Sequence, residues 1–297
     1  MLRASDSPAL EHRQNAKRIV NAITIDVEEY FQVQAFAGVI GQSDWQGLES
    51  RVERTMEMLL DCLAAANVAC TMFTLGWVAE RKPELVRRFV AAGHEVASHG
   101  FAHENLGLLT PARFRIDIRR AKELLEDIGG VAVRGYRAPT FSVNEHTRWA
   151  YAVLEEEGYH YSSSVYPVRH DLYGSPNSPR LPYRPEGVKL WELPMTTVPL
   201  LGQNVPCSGG GYFRLVPYPL FRRGIETFNR TTNAPGIFYT HPWEFDPDQP
   251  RVSKLPPLAR FRHYCNLKET KGRFERLLTD FGWDRMDRVY AETLQRA

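Results

Sequence analysis

The sequence predicts an α/β fold: one large domain with a parallel sheet, either a barrel or a barrel with an appendage. Three observations carry this expectation. Short apolar, β-rich runs alternate with amphipathic helix patterns through the first half of the chain. Strands separated by helices of about 10 to 15 residues build right-handed βαβ units. The length of 297 residues suits a single α/β barrel, which commonly exceeds the usual domain size. Hydrophobic residues make up 43% and charged residues 24%, enough to bury a large core and inconsistent with wholesale disorder.

Period and punctuation give the order of elements. Ile19 to Val27 is a β-rich run, after which Val52, Met56, Leu59, Leu60 and Leu63 recur at helical spacing. Ala69 to Leu75 reads as a second strand, Pro83 to Ala92 as a helix closed by Gly93, and His94 to Ser98 as a third strand. Thr110 and Pro111 open a helix whose apolar stripe is Phe114, Ile118, Ala121, Leu125 and Ile128, ending at Gly129. Gly135 to Ala138 is a fourth strand, and a helix is predicted from about Glu145 to Glu157, stopped by Gly158. From Tyr166 to Gly187 the rhythm breaks at Pro167, Pro176, Pro179, Pro182 and Pro185, which predicts a long ordered loop or a linker. Val188 to Leu193 and Ile237 to Thr240 then read as buried strands, and Phe221 to Asn229 and Leu267 to Phe281 as helices. The pattern leaves open whether this second half closes the same barrel or forms a layer of its own.

Charge and composition narrow the function classes. Lys and Arg number 37 against 35 Asp and Glu, a net charge of +2 spread along the chain without a run that would track a phosphate backbone. Nucleic acid is therefore not expected as a partner. No stretch approaches the apolar length of a membrane span, and the first twenty residues lack the apolar core of a signal peptide. Residues 1–17 are expected to be a disordered tail. Cys62, Cys70, Cys207 and Cys265 show no CxxC spacing, so a reduced, cytoplasmic protein is expected. There is no repeat, no Walker loop and no GxGxxG, and Cys207-Ser208-Gly209 lacks the GxSxG elbow of a serine hydrolase.

Four segments place chemistry at strand ends. Asp26 and Glu28 lie two apart at the end of the first strand, so their carboxylates emerge on one side at the rim where α/β folds place active sites. The competing reading is a solvated loop start alongside Glu29. His99 and His103, after the third strand, stand at a spacing that lets two imidazoles converge on one ion. Two imidazoles with one carboxylate leave a coordination position open for water. If the first and third strands share a rim, Glu28 or Asp26 completes that set; otherwise the two histidines are unrelated polar side chains. Arg137, leaving the fourth strand, either pairs with a first-strand carboxylate or is a surface arginine in a turn. His241 ends the apolar run Phe238-Tyr239-Thr240 and is either part of the same site or a buried structural histidine.

Taken together, Asp26-Val27-Glu28, the His99–His103 pair, Arg137-Ala138-Pro139, Gly209-Gly210-Gly211-Tyr212-Phe213-Arg214 and His241-Pro242-Trp243-Glu244-Phe245-Asp246-Pro247 resemble the ordered motifs of the polysaccharide deacetylase, or NodB homology, family of carbohydrate esterases. The likeness runs from about Ile19 to Met286 and is nearest to the subgroup of exosortase-associated exopolysaccharide loci. It implies a distorted, incomplete (β/α) barrel over residues 18–290, with residues 160–290 a subgroup-specific half that is packed on it and completes the site. It implies Asp26 as catalytic base, Glu28, His99 and His103 as metal ligands, Arg137 as partner of the base and His241 as general acid. The backbone N–H of Thr140 is the implied oxyanion donor. One divalent ion is implied, Zn in the first place, with Co, Ni or Mn as alternatives.

Two departures stand out: Val27 occupies the position where the family more often has an Asp ligand, and Ser162-Ser163-Ser164 stands where the subgroup usually has Asp-Ser-Ser. The implied activity is removal of N-acetyl groups from an N-acetylated polysaccharide in exopolysaccharide production. The alternatives are deacetylation of peptidoglycan or a small amide, or a catalytically silent glycan-binding protein. Tyr212 is a candidate sugar-stacking platform beside the glycines, which otherwise form a plain turn. Trp243 and Trp191 either line a sugar groove or fill the core. Oligomeric state is not legible.

Overall fold

The computed structural model describes residues 19–296; the N-terminal segment expected as a tail lies outside the described residues. Its centre is a parallel sheet that begins with β1 (Val20–Val27), buried at every residue but the first. Then follow α1 (Val52–Ala65), β2 (Thr71–Thr74), α2 (Gly76–Arg81), α3 (Pro83–Ala91), β3 (Glu95–Ser98), α4 (Pro111–Gly129), β4 (Gly135–Tyr136), α5 (Ala150–Glu156), β5 (Tyr161–Ser162) and β6 (Trp191–Glu192). The hairpin β7 (Thr197–Leu200) and β8 (Gln203–Pro206) precedes α6 (Gly210–Leu215), α7 (Tyr218–Thr232) and β9 (Ile237–Thr240). The chain ends with α8 (Pro257–Tyr264), α9 (Leu267–Asp280), β10 (Gly282–Asp284), α10 (Met286–Val289) and α11 (Ala291–Leu294).

The strands run β10-β1-β2-β3-β4-β5-β6, with β9 also paired to β1, and every pairing in this sheet is parallel. The result is a curled half-barrel wrapped in helices. Its seam lies between β6 and β9, where Ile237 N–H donates to the Thr196 side chain at 2.5 Å in place of a strand ladder. The second half does not stand apart: β9 and β10 both take their hydrogen bonds from β1.

Local chemistry explains the helices. In α4 the Thr110 hydroxyl accepts from Arg113 N–H at 3.3 Å, Pro111 pre-sets the first turn, and Gly130 stops it in the left-handed region at φ 63°. Phe114, Ile118, Ala121 and Leu125 are fully buried on one face, as their spacing predicts. Some expectations are corrected. The helix expected from Glu145 starts at Ala150, because Asn144 and Thr147 wrap a turn in which Asn144 N–H donates to the Thr147 hydroxyl at 2.9 Å and His146 N–H to the Asn144 side chain at 2.9 Å. The strand expected over Val188 to Leu193 shrinks to Trp191–Glu192. The glycine run after Cys207 is the start of α6, not a plain turn.

Candidate active site

The site forms where β1, β3, β4 and β9 end. Strand alternation puts Thr24, Asp26 and Glu28 on one side of β1, facing the interior of the curl. Arg137, fully buried, crosses from β4 to meet them. Its Nη1 donates to Asp26 Oδ1 at 2.6 Å and to Thr24 Oγ1 at 2.8 Å, while Nε and Nη2 donate to the Ser163 carbonyl and hydroxyl at 3.1 Å each. The guanidinium also lies 4.0 Å from the centre of the Phe73 ring. Every edge of this buried cation is spoken for, which fixes both it and the Asp26 carboxylate in one orientation.

Glu28, His99 and His103 converge: their donor atoms lie within 4.8 Å of one another. His103 Nε2 is 2.8 Å and His99 Nε2 3.8 Å from Glu28 Oε2. His99 Nδ1 donates to the Arg137 carbonyl at 2.8 Å, which commits that nitrogen as the N–H and turns the Nε2 lone pair toward Glu28. Burial pulls the His99 imidazole down to about 4, outweighing the nearby carboxylates, so the ring is neutral at pH 7. Burial alone would raise Glu28, but the imidazoles of His103, His241 and His99 outweigh it and hold the carboxyl at about 2. Glu28 Oε1 accepts from Trp243 Nε1 at 3.1 Å, whereas Oε2 is buried and, among the described residues, has only the histidine nitrogens beside it. A buried, ionised oxygen whose only close polar neighbours among the described residues are two imidazole nitrogens fits a divalent cation of the borderline type that takes N and O ligands.

His241, at the end of β9, faces the other side of the two carboxylates. Its Nε2 is 3.9 Å from Asp26 Oδ2 and 3.8 Å from Glu28 Oε1, and its side chain keeps 18% exposure. Burial pulls its pKa down, but Glu244, Glu28 and Asp26 outweigh that and push it up to about 9, so the ring carries a proton at neutral pH. Thr140 sits in the left-handed region at φ 57°, followed by Phe141 at φ 46°, and its hydroxyl is buried without a partner among the described residues. Two successive non-glycine residues in that region mark a strained turn held beside the site.

The structure gives the aromatic candidates different surroundings. Trp243 is buried, with His241 stacked at 5.1 Å and His263 at 4.2 Å, and its indole N–H is committed to Glu28; it orients the carboxylate and does not offer a sugar platform. Trp191 lies on β6 against Arg184, 4.8 Å from its guanidinium. Tyr212 is half-buried in an aromatic group with Tyr166, which stacks on Tyr173 and touches Phe141 and Tyr239. This group borders the site, because Tyr239 and Phe141 are each 5.6 Å from the Arg137 guanidinium and Tyr239 is 5.6 Å from the His241 ring.

Three carboxylates that support the site were not singled out from sequence. Asp117, on α4, accepts from Phe101 N–H at 2.8 Å and Ala102 N–H at 3.1 Å, pinning the loop that carries His99 and His103. Gly100 is held at φ 74°, and a Cβ there would meet Asp117 Oδ2 at 2.8 Å, so the histidine loop needs glycine for conformation and for space. Glu192 addresses the Ser162 departure. It pairs in register with Ser162, and its Oε1 accepts from Ser164 and Val165 N–H at 2.8 and 2.9 Å, so a carboxylate reaches the exit of β5 from the next strand. Glu244 accepts from His241 Nδ1 at 2.6 Å. Its signal was its place three residues after a histidine within one turn.

Residues 46–161 match the polysaccharide deacetylase family model, and residues 163–291 match a domain of unknown function, DUF3473. A Bacillus cereus peptidoglycan-N-acetylglucosamine deacetylase is 33% identical over 93 residues, which is 31% of this chain and 34% of that protein. The chain spans about a third to a half of the length of the curated relatives it matches first. The crystal structure of a protein proposed to be a polysaccharide deacetylase from Mycobacterium smegmatis superposes with TM-score 0.58 at 23% identity, covering 95% of this chain and 92% of that one. The allantoinase Puue also superposes at 0.58, at 17% identity, over 99% and 100% of the two chains. These two likenesses are of fold. The matched segments divide the site: the first carries His99, His103, Arg137 and Thr140, the second carries His241, and β1 with Asp26 and Glu28 precedes both. With the fold, the ordered strand-end residues and the sequence match in agreement, the chain carries a polysaccharide deacetylase domain of the NodB, or CE4, type.

Proposed function

We propose that this protein is a metal-dependent hydrolase that removes N-acetyl groups from an N-acetylated polysaccharide, and that it serves exopolysaccharide production. The observation that carries the reading is one rim on which His241 Nε2 lies within 4 Å of both the Asp26 carboxylate, paired with Arg137, and the Glu28 carboxylate of the Glu28–His99–His103 cluster. Amide hydrolysis needs a base for the attacking water, stabilisation of the tetrahedral oxyanion and a proton for the leaving amine. A divalent ion held by Glu28, His99 and His103 supplies a Lewis acid that polarises the acetyl carbonyl and acidifies water.

Asp26, oriented by Arg137, takes the proton of the attacking water. His241 gives its Nε2 proton to the amine nitrogen as the carbon–nitrogen bond breaks. The Thr140 backbone N–H faces the developing oxyanion. The chitooligosaccharide and peptidoglycan deacetylases among the relatives support a glycan amide, and the GGGYFR and HPWEFDP motifs support the exopolysaccharide setting. Acetate release from N-acetylglucosamine oligomers, measured beside small linear and cyclic amides before and after chelation, tests the proposal. Turnover of the glycan that chelation abolishes supports it; turnover of small amides alone moves the substrate; no turnover with metal bound leaves a glycan-binding protein.

A further inference from the structure

We infer that the 163–291 segment, whose family match carries no assigned function, supplies a positioning assembly for the general acid: Glu244 holds the His241 ring, Arg214 anchors Glu244, and Gly210 leaves the space it occupies. The inference rests on the reading of His241 as proton donor and names what makes it one. His241 and Glu244 are three apart in a turn closed by Glu244 N–H donating to the His241 carbonyl at 3.2 Å. That turn brings Oε1 of Glu244 to 2.6 Å from Nδ1 of the imidazole. An ionised carboxylate only accepts, so Nδ1 carries hydrogen and Nε2 is left facing Asp26 and Glu28.

Glu244 is itself held. It is 1% exposed, and its Oε2 accepts from Thr240 Oγ1 at 3.2 Å and from Arg214 Nε at 3.4 Å. Arg214 is equally buried and has no freedom to leave: Nη1 donates to the carbonyls of His263 and Cys265 at 3.0 and 2.7 Å, and Nη2 to that of Arg262 at 3.1 Å. These carbonyls end α8, where the helix dipole favours a cation. The glycine motif completes the fit. A Cβ on Gly210 would lie 1.5 Å from Glu244 Oε2, and one on Gly209, at φ 90°, would lie 2.6 Å from the Tyr239 ring. The Gly-Gly-Gly-Tyr-Phe-Arg motif thus delivers both the space that admits the Glu244 carboxylate and the arginine that anchors it.

Such a carboxylate works through the imidazole, by fixing ring orientation and tautomer as in the carboxylate–histidine half of a hydrolase triad. Its contribution is therefore confined to steps that need the proton. When the carbon–nitrogen bond of the tetrahedral adduct breaks, the electron pair stays on nitrogen and the Nε2 proton completes the amine. An aryl acetate ester loses a stable aryloxide and needs no such proton.

The test compares Glu244→Gln, His241→Ala and the double variant on an N-acetylglucosamine oligomer and on an aryl acetate. Each single variant is expected to lower amide turnover by about tenfold or more while the aryl ester stays within about threefold, and Glu244→Gln is expected to add nothing in the His241→Ala background. A readout independent of turnover is a low-field imidazole N–H proton resonance in the wild-type protein, absent in His241→Ala and shifted upfield in Glu244→Gln. Equal losses on both substrates, or an undiminished Glu244→Gln effect without His241, would show that Glu244 only supports the fold. Full amide turnover in His241→Ala would overturn the reading of His241 itself, and the inference with it.

Discussion

Replacing Arg137 with alanine strands the Asp26 carboxylate inside the protein. The two side chains are 0% and 2% exposed and meet at 2.6 Å, so the loss leaves a buried charge without its partner. Removing one member of a buried ion pair costs about 3 to 5 kcal/mol, because the remaining charge keeps its desolvation penalty. Here the loss also empties a space that the guanidinium filled against Phe73 and takes away donors to Thr24 and to the Ser163 carbonyl and hydroxyl. Urea melts should therefore place Arg137→Ala about 3 to 5 kcal/mol below wild type. Asp26→Asn in the Arg137→Ala background removes the stranded charge, so the double variant should be at least about 1 kcal/mol more stable than the sum of the single effects predicts. Arg137→Lys keeps the charge without the fork that spans Asp26 and Ser163, and should lose acetate-release turnover with less cost in stability. A loss under about 1 kcal/mol in Arg137→Ala, in the range of exposed pairs, or strictly additive effects, would refute the buried clamp.

Other consequences follow from the same contacts. Asp117→Ala frees the backbone N–H groups of Phe101 and Ala102, and titration with Zn should show metal affinity down about 10- to 100-fold with the fold retained in circular dichroism. Glu95 is buried at the opposite end of β3, where it accepts from Thr71 and Tyr161 at 2.6 and 2.8 Å; burial and then the Asp287 carboxylate raise it to about 7. Its carboxyl is protonated in the folded state where the unfolded chain has already ionised, so this contribution is fully present below about pH 4.5 and is lost as pH rises through about 7. Melts across that window should show the loss in wild type and a flatter profile in Glu95→Gln. Fragments 1–179 and 180–297 should not fold alone, because β9 and β10 pair with β1; a cooperative melt of either fragment would count against this.

How far the sequence could be read depended on the range of the interaction concerned. Helical period placed Val52, Met56, Leu59 and Leu63 on one buried face of α1, and Thr110-Pro111 marked the start of α4, because these signals are local. Asp26, His99, Arg137 and His241 stood out as candidates because each lies at the end of an expected strand. The strand β10 was missed: its Gly282-Trp283-Asp284 is too short to show a period, and it exists because β1 offers free backbone groups to pair with. Asp117 was passed over as a polar residue on a helix, since its two backbone partners lie fifteen and sixteen residues earlier in another loop. The role of Trp243 was left open for a related reason. Nothing local chooses between an indole that lines a sugar groove and one that fills the core; its nitrogen is committed to Glu28, 215 residues away.

The proposed function rests on a division of labour on one rim, with Glu28, His99 and His103 proposed to hold the metal and Asp26 and His241 to move protons. Metal content per chain, measured by plasma mass spectrometry after loading with Zn and exhaustive dialysis, tests it most directly. About one ion per chain is expected in wild type, Asp26→Asn and His241→Ala, with turnover in the latter two down by roughly 10² to 10⁴ fold, and little or no ion in Glu28→Gln, His99→Ala and His103→Ala. Loss of the ion in Asp26→Asn with retention in Glu28→Gln would contradict it.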